Sequence, residues 1–279
     1  MWWMKILAKL FLSRLPFGYW VWQKIGLFRH GYMDNSDYAI RIFNSHVTKA
    51  GIFKKLSGIT VLELGPGDSI ATAIIAASYG AKSILIDSGN FVSSDMNSYL
   101  RLHTTLLELG ALPPDISSCN SIQDILKQCN STYLSNGLVD LKTIKTKSVD
   151  LIFSQAVLEH VRFHEFEETL SECNRILKDD GVCSHSIDLK DHLGGALNNL
   201  RFPFSVWESN FFSQSGFYTN RIRFKRMLAL FSRSGFKYEV VNVENWDCLP
   251  IKRKQMMPEF ALLENDDILI SEFDVLLRK

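Results

Sequence analysis

The chain has 279 residues, of which 46% are hydrophobic and 22% are charged. This length and composition suit a globular protein built as one large domain, or as a core domain with appended pieces. The formal net charge of +1 gives no general attraction to nucleic acid, so no nucleic-acid partner is expected. Five cysteines without a CxxC pair indicate reduced thiols in a cytoplasmic protein and argue against a disulfide framework.

The first 33 residues are basic and aromatic, with five Lys or Arg and no acid. Lys9 and Arg14 interrupt the apolar run, so neither a membrane span nor a cleaved signal peptide is expected. Two interpretations stay open. The segment is a helical cap that packs its aromatic rings on the core or on a partner subunit, or it lies peripherally on the inner face of the membrane. The sequence predicts a helical cap over residues 1–58, and homo-oligomerisation stays open with it.

From Ile59 onward, short apolar segments alternate with segments of helical spacing. Seven strands are predicted, in chain order at ITVLELG, SILID, STYLS, VDLIFSQ, VCSHSIDL, YEVVNVE and ILISEFDVLL. One helix is predicted to reach Gly181 before the fifth strand, and another to begin at Thr219 before the sixth. Strands that alternate with helices imply a mostly parallel sheet covered on both faces, so the fold class is α/β.

The first strand ends in the sequence VLELGPGDSI, where ligands bind in sheets of this kind. Gly65 and Gly67 let the backbone turn sharply and let a ligand approach closely. The third glycine of a dinucleotide fingerprint and the lysine of a P-loop are absent, which disfavours a pyrophosphate. Glu63 suits an ammonium group, and Asp87 at the end of the second strand is placed to bind ribose hydroxyls. S-adenosylmethionine (SAM), a nucleoside with a cationic amino-acid tail, fits both.

Four motifs in order, ELGPGDS, LID, SVDLIFSQAVLEHV and NRILKDDGV, resemble the class I SAM-dependent methyltransferases, of the type 11 kind, over Ile59–Leu189. The resemblance implies a Rossmann-like, doubly wound seven-stranded sheet in a methyltransferase domain over residues 59–279, with an insertion at about 190–220. It also implies cofactor-binding residues around the methionine, ribose and adenine: Glu63, Gly65, Gly67, Asp87, Ser88, Ser154 and Gln155. Simple strand capping is the alternative for Ser154 and Gln155.

Methyl transfer to a hydroxyl needs an aligned acceptor and a base, so the ends of the fourth and fifth strands are searched for bases. Asp188 ends the fifth strand on the same face as Ser186, and His192 follows in the next turn. His160, in LEHV, is the third catalytic candidate, with loop ordering as its alternative. No catalytic role is expected for the other histidines, which have no convergent partners in the sequence or lie within a strand: His30, His46, His103, His164 and His185.

A bound metal is not expected. Asp188, Asp191 and His192 are residue types that ligate divalent ions. However, Ala156 stands where the similar ubiquinone-pathway O-methyltransferases carry a glutamate.

The segment after the fifth strand is long and aromatic, and it is predicted to cover the acceptor. Aromatic faces, amides and guanidinium groups suit a sugar ring, with an arginine left for a phosphate or carboxylate. The candidate acceptor-binding residues are Trp207, Asn220, Arg221 and Arg223. The alternative is that half of these aromatic residues form the core of the insertion.

Four segments, FRHGYMD, SQAVLEHV (part of the third motif above), HSIDLKDH and YTNRIRF, together resemble methyltransferases of bacterial surface-polysaccharide and secondary-metabolite gene sets. This resemblance implies O-methylation of a saccharide or glycan intermediate. Two alternatives stay open: a small-molecule N- or O-methyltransferase of secondary metabolism, and a SAM-binding partner protein without catalysis. A nucleic-acid methyltransferase is disfavoured because no Asn-Pro-Pro-aromatic motif follows the fourth strand.

Overall fold

A computed structural model of the chain describes residues 32–279, so most of the expected N-terminal cap lies outside the described residues. Seven strands form one sheet: β1 (Thr60–Leu64), β2 (Lys82–Ile86), β3 (Ser131–Leu134), β4 (Val149–Gln155), β5 (Leu177–Asp188), β6 (Lys237–Asn245) and β7 (Ile270–Arg278). The strand order is β3-β2-β1-β4-β5-β7-β6. β7 runs antiparallel to both of its neighbours, and the other pairs are parallel. The expected mostly parallel, doubly wound α/β sheet is confirmed.

The helices of the described residues lie on the two faces of this sheet and in its connections. The longer ones are α1 (Ser36–Lys49), α2 (Ala71–Ser78), α3 (Met96–Glu108), α4 (Ile122–Gln128), α6 (Phe166–Ile176) and α9 (Phe224–Arg233). Single-turn helices are α5 (Leu138–Leu141), α7 (Phe204–Trp207), α8 (Asn210–Ser213), α10 (Pro258–Ala261) and α11 (Asn265–Ile268). No helix within residues 32–279 is long and apolar enough to cross a membrane.

Strand alternation divides the core into two layers. Val61 and Phe153 point to the face covered by α1, α2 and α3, whereas Leu62 and Ile152 point to the face covered by α6 and α9. Asn35 caps α1 by accepting a hydrogen bond from the Tyr38 N–H at 2.9 Å. α1 then buries Ala39, Phe43 and neighbouring side chains against the first layer. The described part of the expected cap therefore packs directly on the sheet.

The strand order reverses beside β1, because the chain steps outward through β2 and β3 and then returns to β4 on the other side. The connections from β1 and β4 leave in opposite directions and open a crevice at the carboxyl ends of these strands. The loops that carry the sequence motifs meet at this crevice.

Two helix boundaries differ from expectation. α6 ends at Ile176 and β5 begins at Leu177, because the last carbonyls of the helix accept the N–H groups of Lys147 and Ser148 at 3.0 and 2.8 Å. α9 begins at Phe224 rather than Thr219, because Arg221 has φ +59°, which no right-handed helix accepts.

The insertion after β5 has its own small core of Leu193, Trp207, Phe217 and Tyr218. Phe202 and Phe212 pack against it. These contacts agree with the alternative stated above, in which about half of the aromatic residues form the core of the insertion. Phe204 and Phe211 remain 49% and 51% exposed.

Candidate active site

The turn after β1 depends on glycine. Gly65 and Gly67 have φ +69° and +65°, which glycine adopts without strain. A Cβ on Gly65 would lie only 2.5 Å from Cγ2 of Val157, in the loop after β4. The loops from β1 and β4 are therefore pressed together at the crevice, and only glycine allows that approach.

Asp87 joins the loops that follow β1 and β2. Its Oδ2 accepts a hydrogen bond from the Gly67 N–H at 2.9 Å, and its Oδ1 accepts from the Ser88 N–H at 2.7 Å. The Ser88 hydroxyl also lies 3.4 Å from Oδ1. Contact between Asp87 and the ribose hydroxyls stays a prediction. Ser88 is exposed beside Asp87, and its contact with the adenine stays a prediction.

Glu63 is a buried acid with an incomplete set of partners. Its side chain is 3% exposed and faces the same layer as Val61. Burial, with a smaller contribution from the neighbouring Asp87, raises the pKa of Glu63 to about 8, and the nearby Thr72 hydroxyl opposes this rise. Glu63 Oε2 and the nearby Thr72 Oγ1 lack a hydrogen-bond partner of normal geometry among the described residues. A cationic ligand group would satisfy this oxygen, so the site fits the ammonium of SAM.

Ser154 and Gln155 at the end of β4 face opposite ways. Ser154 is fully buried and its Oγ lies 2.8 Å from Nδ1 of His185, on the side of α6 and α9. Gln155 faces α1, where its Oε1 lies 3.2 Å from Nε2 of His46. The structure therefore gives Ser154 a structural contact and places Gln155 at the crevice. Cofactor contact by either side chain stays a prediction.

The residue after β4 has an unusual backbone. Ala156 has φ +54°, a region that non-glycine residues seldom adopt, and its N–H donates to the Ser186 carbonyl at 2.8 Å. Backbone strain of this kind persists only where the surrounding structure enforces it, and it is concentrated at functional sites.

Two of the three catalytic candidates lie together. The rings of His160 and His192 meet edge to face with centroids 4.6 Å apart. Nδ1 of His160 lies 2.8 Å from the Tyr218 carbonyl, which can only accept, so this nitrogen carries the proton. When the His160 ring is neutral, its lone pair is then on Nε2.

Asp188 is held by other groups. Its Oδ1 accepts from the Lys190 N–H at 2.8 Å, and Nζ of Lys190 lies 3.5 Å away while also pairing with Glu272. The main-chain N–H of Asp188 donates to Oε1 of Glu159 at 3.3 Å. Burial raises the pKa of Glu159 well above its ordinary value. The described contacts thus join Asp188 to Lys190, and its expected pairing with His192 stays a prediction.

The four expected acceptor-binding residues are buried, and their side-chain N–H groups donate hydrogen bonds to main-chain carbonyls. Trp207 Nε1 donates to Thr219 at 2.7 Å. The longer side chains bridge separate segments: Asn220 to Leu158 and Val161, Arg221 to Asn199 and Phe202, and Arg223 to Leu189, Ile268 and Ile270. These contacts hold the insertion to the loop after β4 and to β7. An acceptor contact by these four side chains stays a prediction.

A small cavity separates these residues from Glu159. It has a volume of about 10 Å³ and is lined by Glu159, Asn199, Arg221 and Arg223, among others. Each of these four side chains has one buried polar atom without a hydrogen-bond partner among the described residues. A polar space of this size holds about one water molecule, so the cavity belongs to the interior rather than to a substrate site.

The sequence interpretation missed the contribution of α1. His46 was expected to have no partner, yet it contacts Gln155 and also Ser184, whose Oγ lies 2.8 Å from its Nδ1. Lys49, three residues later, donates to Asp274 at 2.8 Å. The one available signal was a histidine on the apolar stripe of an amphipathic helix. Its partners are more than one hundred residues away in the sequence and could not be inferred from spacing.

Comparisons with known proteins agree with the fold. A family model described as a methyltransferase domain matches residues 115–184, which is less than half of the chain. No curated protein matches the sequence. Among residues 32–279, no cluster of three or more His, Cys, Asp or Glu side chains could hold a metal ion.

Solved structures with similar folds are methyltransferases at low identity. A SAM-dependent methyltransferase from Archaeoglobus fulgidus is 14% identical with TM-score 0.45, covering 86% of this chain and 94% of that one. An N-methyltransferase from Haemonchus contortus, determined with phosphomonomethylethanolamine and S-adenosylhomocysteine, is 14% identical with TM-score 0.49, covering 96% and 60%. A candidate O-methyltransferase from Nostoc punctiforme is 12% identical with TM-score 0.42, covering 85% and 56%. The chain thus spans little more than half of two of these structures.

The family model and the sheet agree with the resemblance read from the motifs. The chain has a methyltransferase-domain match over residues 115–184 and a sheet with the Rossmann-like fold, which are consistent with a class I SAM-dependent methyltransferase, with SAM as the expected methyl donor. The acceptors named for the similar structures belong to those proteins.

Proposed function

We propose that the protein methylates a hydroxyl group of a saccharide or glycan intermediate. The proposal is supported by one arrangement, in which groups suited to SAM and a pair of histidines all lie at or after the carboxyl ends of neighbouring strands of the sheet. Glu63 and Asp87 supply carboxyl groups at the first two strands. His160 and His192 follow the fourth and fifth strands.

SAM would supply a methyl group on a positively charged sulfur, which an oxygen nucleophile can displace. Asp87 would bind the ribose hydroxyls, and Glu63 would take the ammonium. His160, with its proton on Nδ1, would accept the acceptor's hydroxyl proton at Nε2 as the new carbon–oxygen bond forms. His192 packs edge to face on His160 and would keep its ring in place.

The exposed rings of the insertion support a sugar acceptor. The ring of Phe204 stacks edge to face on Phe163, with centroids 5.0 Å apart, and Phe163 lies three residues after His160. Phe204 is half exposed, so an apolar face is available beside Phe163. Aromatic faces of this kind pack against the C–H face of a sugar ring.

Calorimetric titration with S-adenosylhomocysteine tests the cofactor part. Asp87→Ala should weaken binding by about a hundredfold or more, because a carboxylate with two ligand hydrogen bonds is removed. Asp179→Ala is the matched control, since Asp179 is an exposed acid paired with Lys147 far from the crevice. Equal affinity in all three proteins would contradict the assignment of Asp87.

A screen for S-adenosylhomocysteine production then tests the acceptor. Saccharide acceptors should give turnover that His160→Gln abolishes without loss of S-adenosylhomocysteine binding. Turnover with amine-bearing or small aromatic acceptors alone would favour the secondary-metabolite alternative. Cofactor binding without turnover on any acceptor would favour the non-catalytic partner protein.

A further inference from the structure

Helix α1 carries two polar side chains that reach three different strands. His46 and Lys49 are three residues apart and share one face of the helix. His46 contacts Gln155 on β4 and Ser184 on β5, while Lys49 pairs with Asp274 on β7. Asp274 in turn accepts a hydrogen bond from the Ser186 hydroxyl. The end of α1 is thereby tied to β4, β5 and β7 at the carboxyl edge of β4 and β5.

This polar set lies on an otherwise apolar face. The His46 ring is 4.9 Å from the Phe153 ring and is almost completely buried. Burying an imidazole at this position has an unfavourable desolvation free energy, which an apolar side chain would not have. Buried polar groups of this kind add little stability over apolar groups of the same volume. Stability of the fold therefore does not explain why His46 is buried here.

In the contact with His46, the Gln155 amide presents its carbonyl oxygen. The carbonyl oxygen Oε1 faces His46, so Nε2 of His46 donates and Nδ1 accepts the Ser184 hydroxyl. The amide nitrogen of Gln155 takes no described hydrogen bond within residues 32–279. Gln155 is only partly buried, so its NH₂ group is available at the crevice.

Glu63 and Gln155 stand on the same face of adjacent strands. Glu63 is paired in register with Phe153, and Gln155 lies two residues further along β4. Two residues of a strand span about 7 Å, so the ends of the two side chains can bracket one small zwitterion. Glu63 presents an acceptor, and Gln155 presents a donor, which are the groups that an ammonium and a carboxylate require.

We propose that Gln155 binds the carboxylate at the amino-acid end of the cofactor, and that His46 is the positioning residue that fixes the Gln155 amide for this contact. The inference rests on the proposed SAM site and adds the two residues that select the amino-acid end of its ligand. It also gives α1 a part in cofactor binding.

The test compares two ligands that differ in the amino-acid end. S-adenosylhomocysteine carries the ammonium and carboxylate, and 5′-methylthioadenosine lacks both. Gln155→Leu and His46→Phe should each weaken S-adenosylhomocysteine binding about tenfold, the size of one hydrogen bond to a charged group. Both should leave 5′-methylthioadenosine binding within about twofold. His46→Gln, which keeps a donor near the position of Nε2, should restore most of the affinity.

The double variant separates positioning from general damage. If His46 acts through Gln155, His46→Phe should cause little further loss in the Gln155→Leu protein. Equal weakening of both ligands, full additivity, or no rescue by His46→Gln would overturn the inference while leaving the SAM site intact. Failure of the wild type to bind either ligand would instead overturn the proposed function, and the inference with it.

A spectroscopic readout does not depend on affinity. The side-chain NH₂ resonances of Gln155 should shift when S-adenosylhomocysteine is added and should not shift with 5′-methylthioadenosine. In His46→Phe the two resonances should broaden or move before any ligand is added, because the amide is no longer fixed. Unchanged resonances in His46→Phe would contradict a positioning role.

Discussion

The end of α1 and the insertion after β5 both bury polar side chains, but they use them differently. In the insertion, the guanidinium groups of Arg221 and Arg223 donate to main-chain carbonyls. At α1, His46 bonds to other side chains, and Gln155 and Glu63 keep polar atoms without a described partner. Arg221 and Arg223 also keep one nitrogen each without a described partner, but these atoms surround a space for about one water molecule. Glu63 and Gln155 lie at the crevice instead. Residue type alone does not separate them.

The largest loss of stability is expected from a substitution in the insertion, where buried arginines hold main-chain carbonyls. Arg223→Leu removes the donors to the carbonyls of Leu189, Ile268 and Ile270 in a fully buried place. Unsatisfied buried carbonyls should lower the free energy of unfolding by about 3–5 kcal/mol. Urea denaturation measures it, with Arg233→Leu as an exposed arginine control. A loss below about 1 kcal/mol would show that Arg223 is not structural.

The next largest loss of stability is expected at the tight turn after β1, which borders the crevice. Gly65→Ala combines a positive φ with a Cβ 2.5 Å from Val157 and should cost about 2–4 kcal/mol. Gly110→Ala is the matched control, because Gly110 has φ +77° but open space around its Cβ, and it should cost about 1 kcal/mol. Thermal unfolding of both variants measures the difference. Equal shifts would mean that the approach of Val157 is not tight.

Acid should weaken the fold through the α1 contact. Burial lowers the pKa of His46 from 6.5 to about 4, with Lys49 lowering it further and Gln155 and Asp274 opposing. Protonation therefore favours the unfolded chain, and stability present above pH 6.5 should be lost progressively as the pH falls towards 4. His46→Gln should flatten this part of the pH profile of urea midpoints. His185, whose pKa burial lowers to about 3, leaves a residual slope.

The smallest expected effect is the release of a proton from Glu63 when the ligand binds. Glu63 has its pKa raised to about 8 by burial, so its carboxyl is mostly protonated at neutral pH without ligand. An ammonium bound beside it favours the carboxylate, so binding of S-adenosylhomocysteine at pH 7 should release up to one proton. Titrations in two buffers of different ionisation enthalpy measure this. Glu63→Gln should bind without the release, and release unchanged in that variant would place the ammonium elsewhere.

The sheet and the motif loops could be predicted because their signals are local. Each strand is a short apolar run, and Gly65, Gly67 and Asp87 occupy strand ends that the alternation of helices and strands already places at one edge. The tertiary partners could not be predicted, because nothing in a single sequence pairs His46 with Gln155 or Arg223 with Ile270. The predicted start of α9 was also wrong, since no local pattern in the sequence marks the positive φ of Arg221.

The attachment of α1 has a thermodynamic consequence. The helix that carries His46 and Lys49 directly follows the basic, aromatic N-terminal segment of the chain. If His46 fixes the amide that binds the cofactor, then anything that shifts α1 along the sheet changes cofactor affinity. By linkage, cofactor binding must change the affinity for that displacing agent by the same factor. A membrane surface, a partner subunit or a neighbouring enzyme acting on the N-terminal segment would therefore be reciprocally coupled to occupancy of the methyl-donor site.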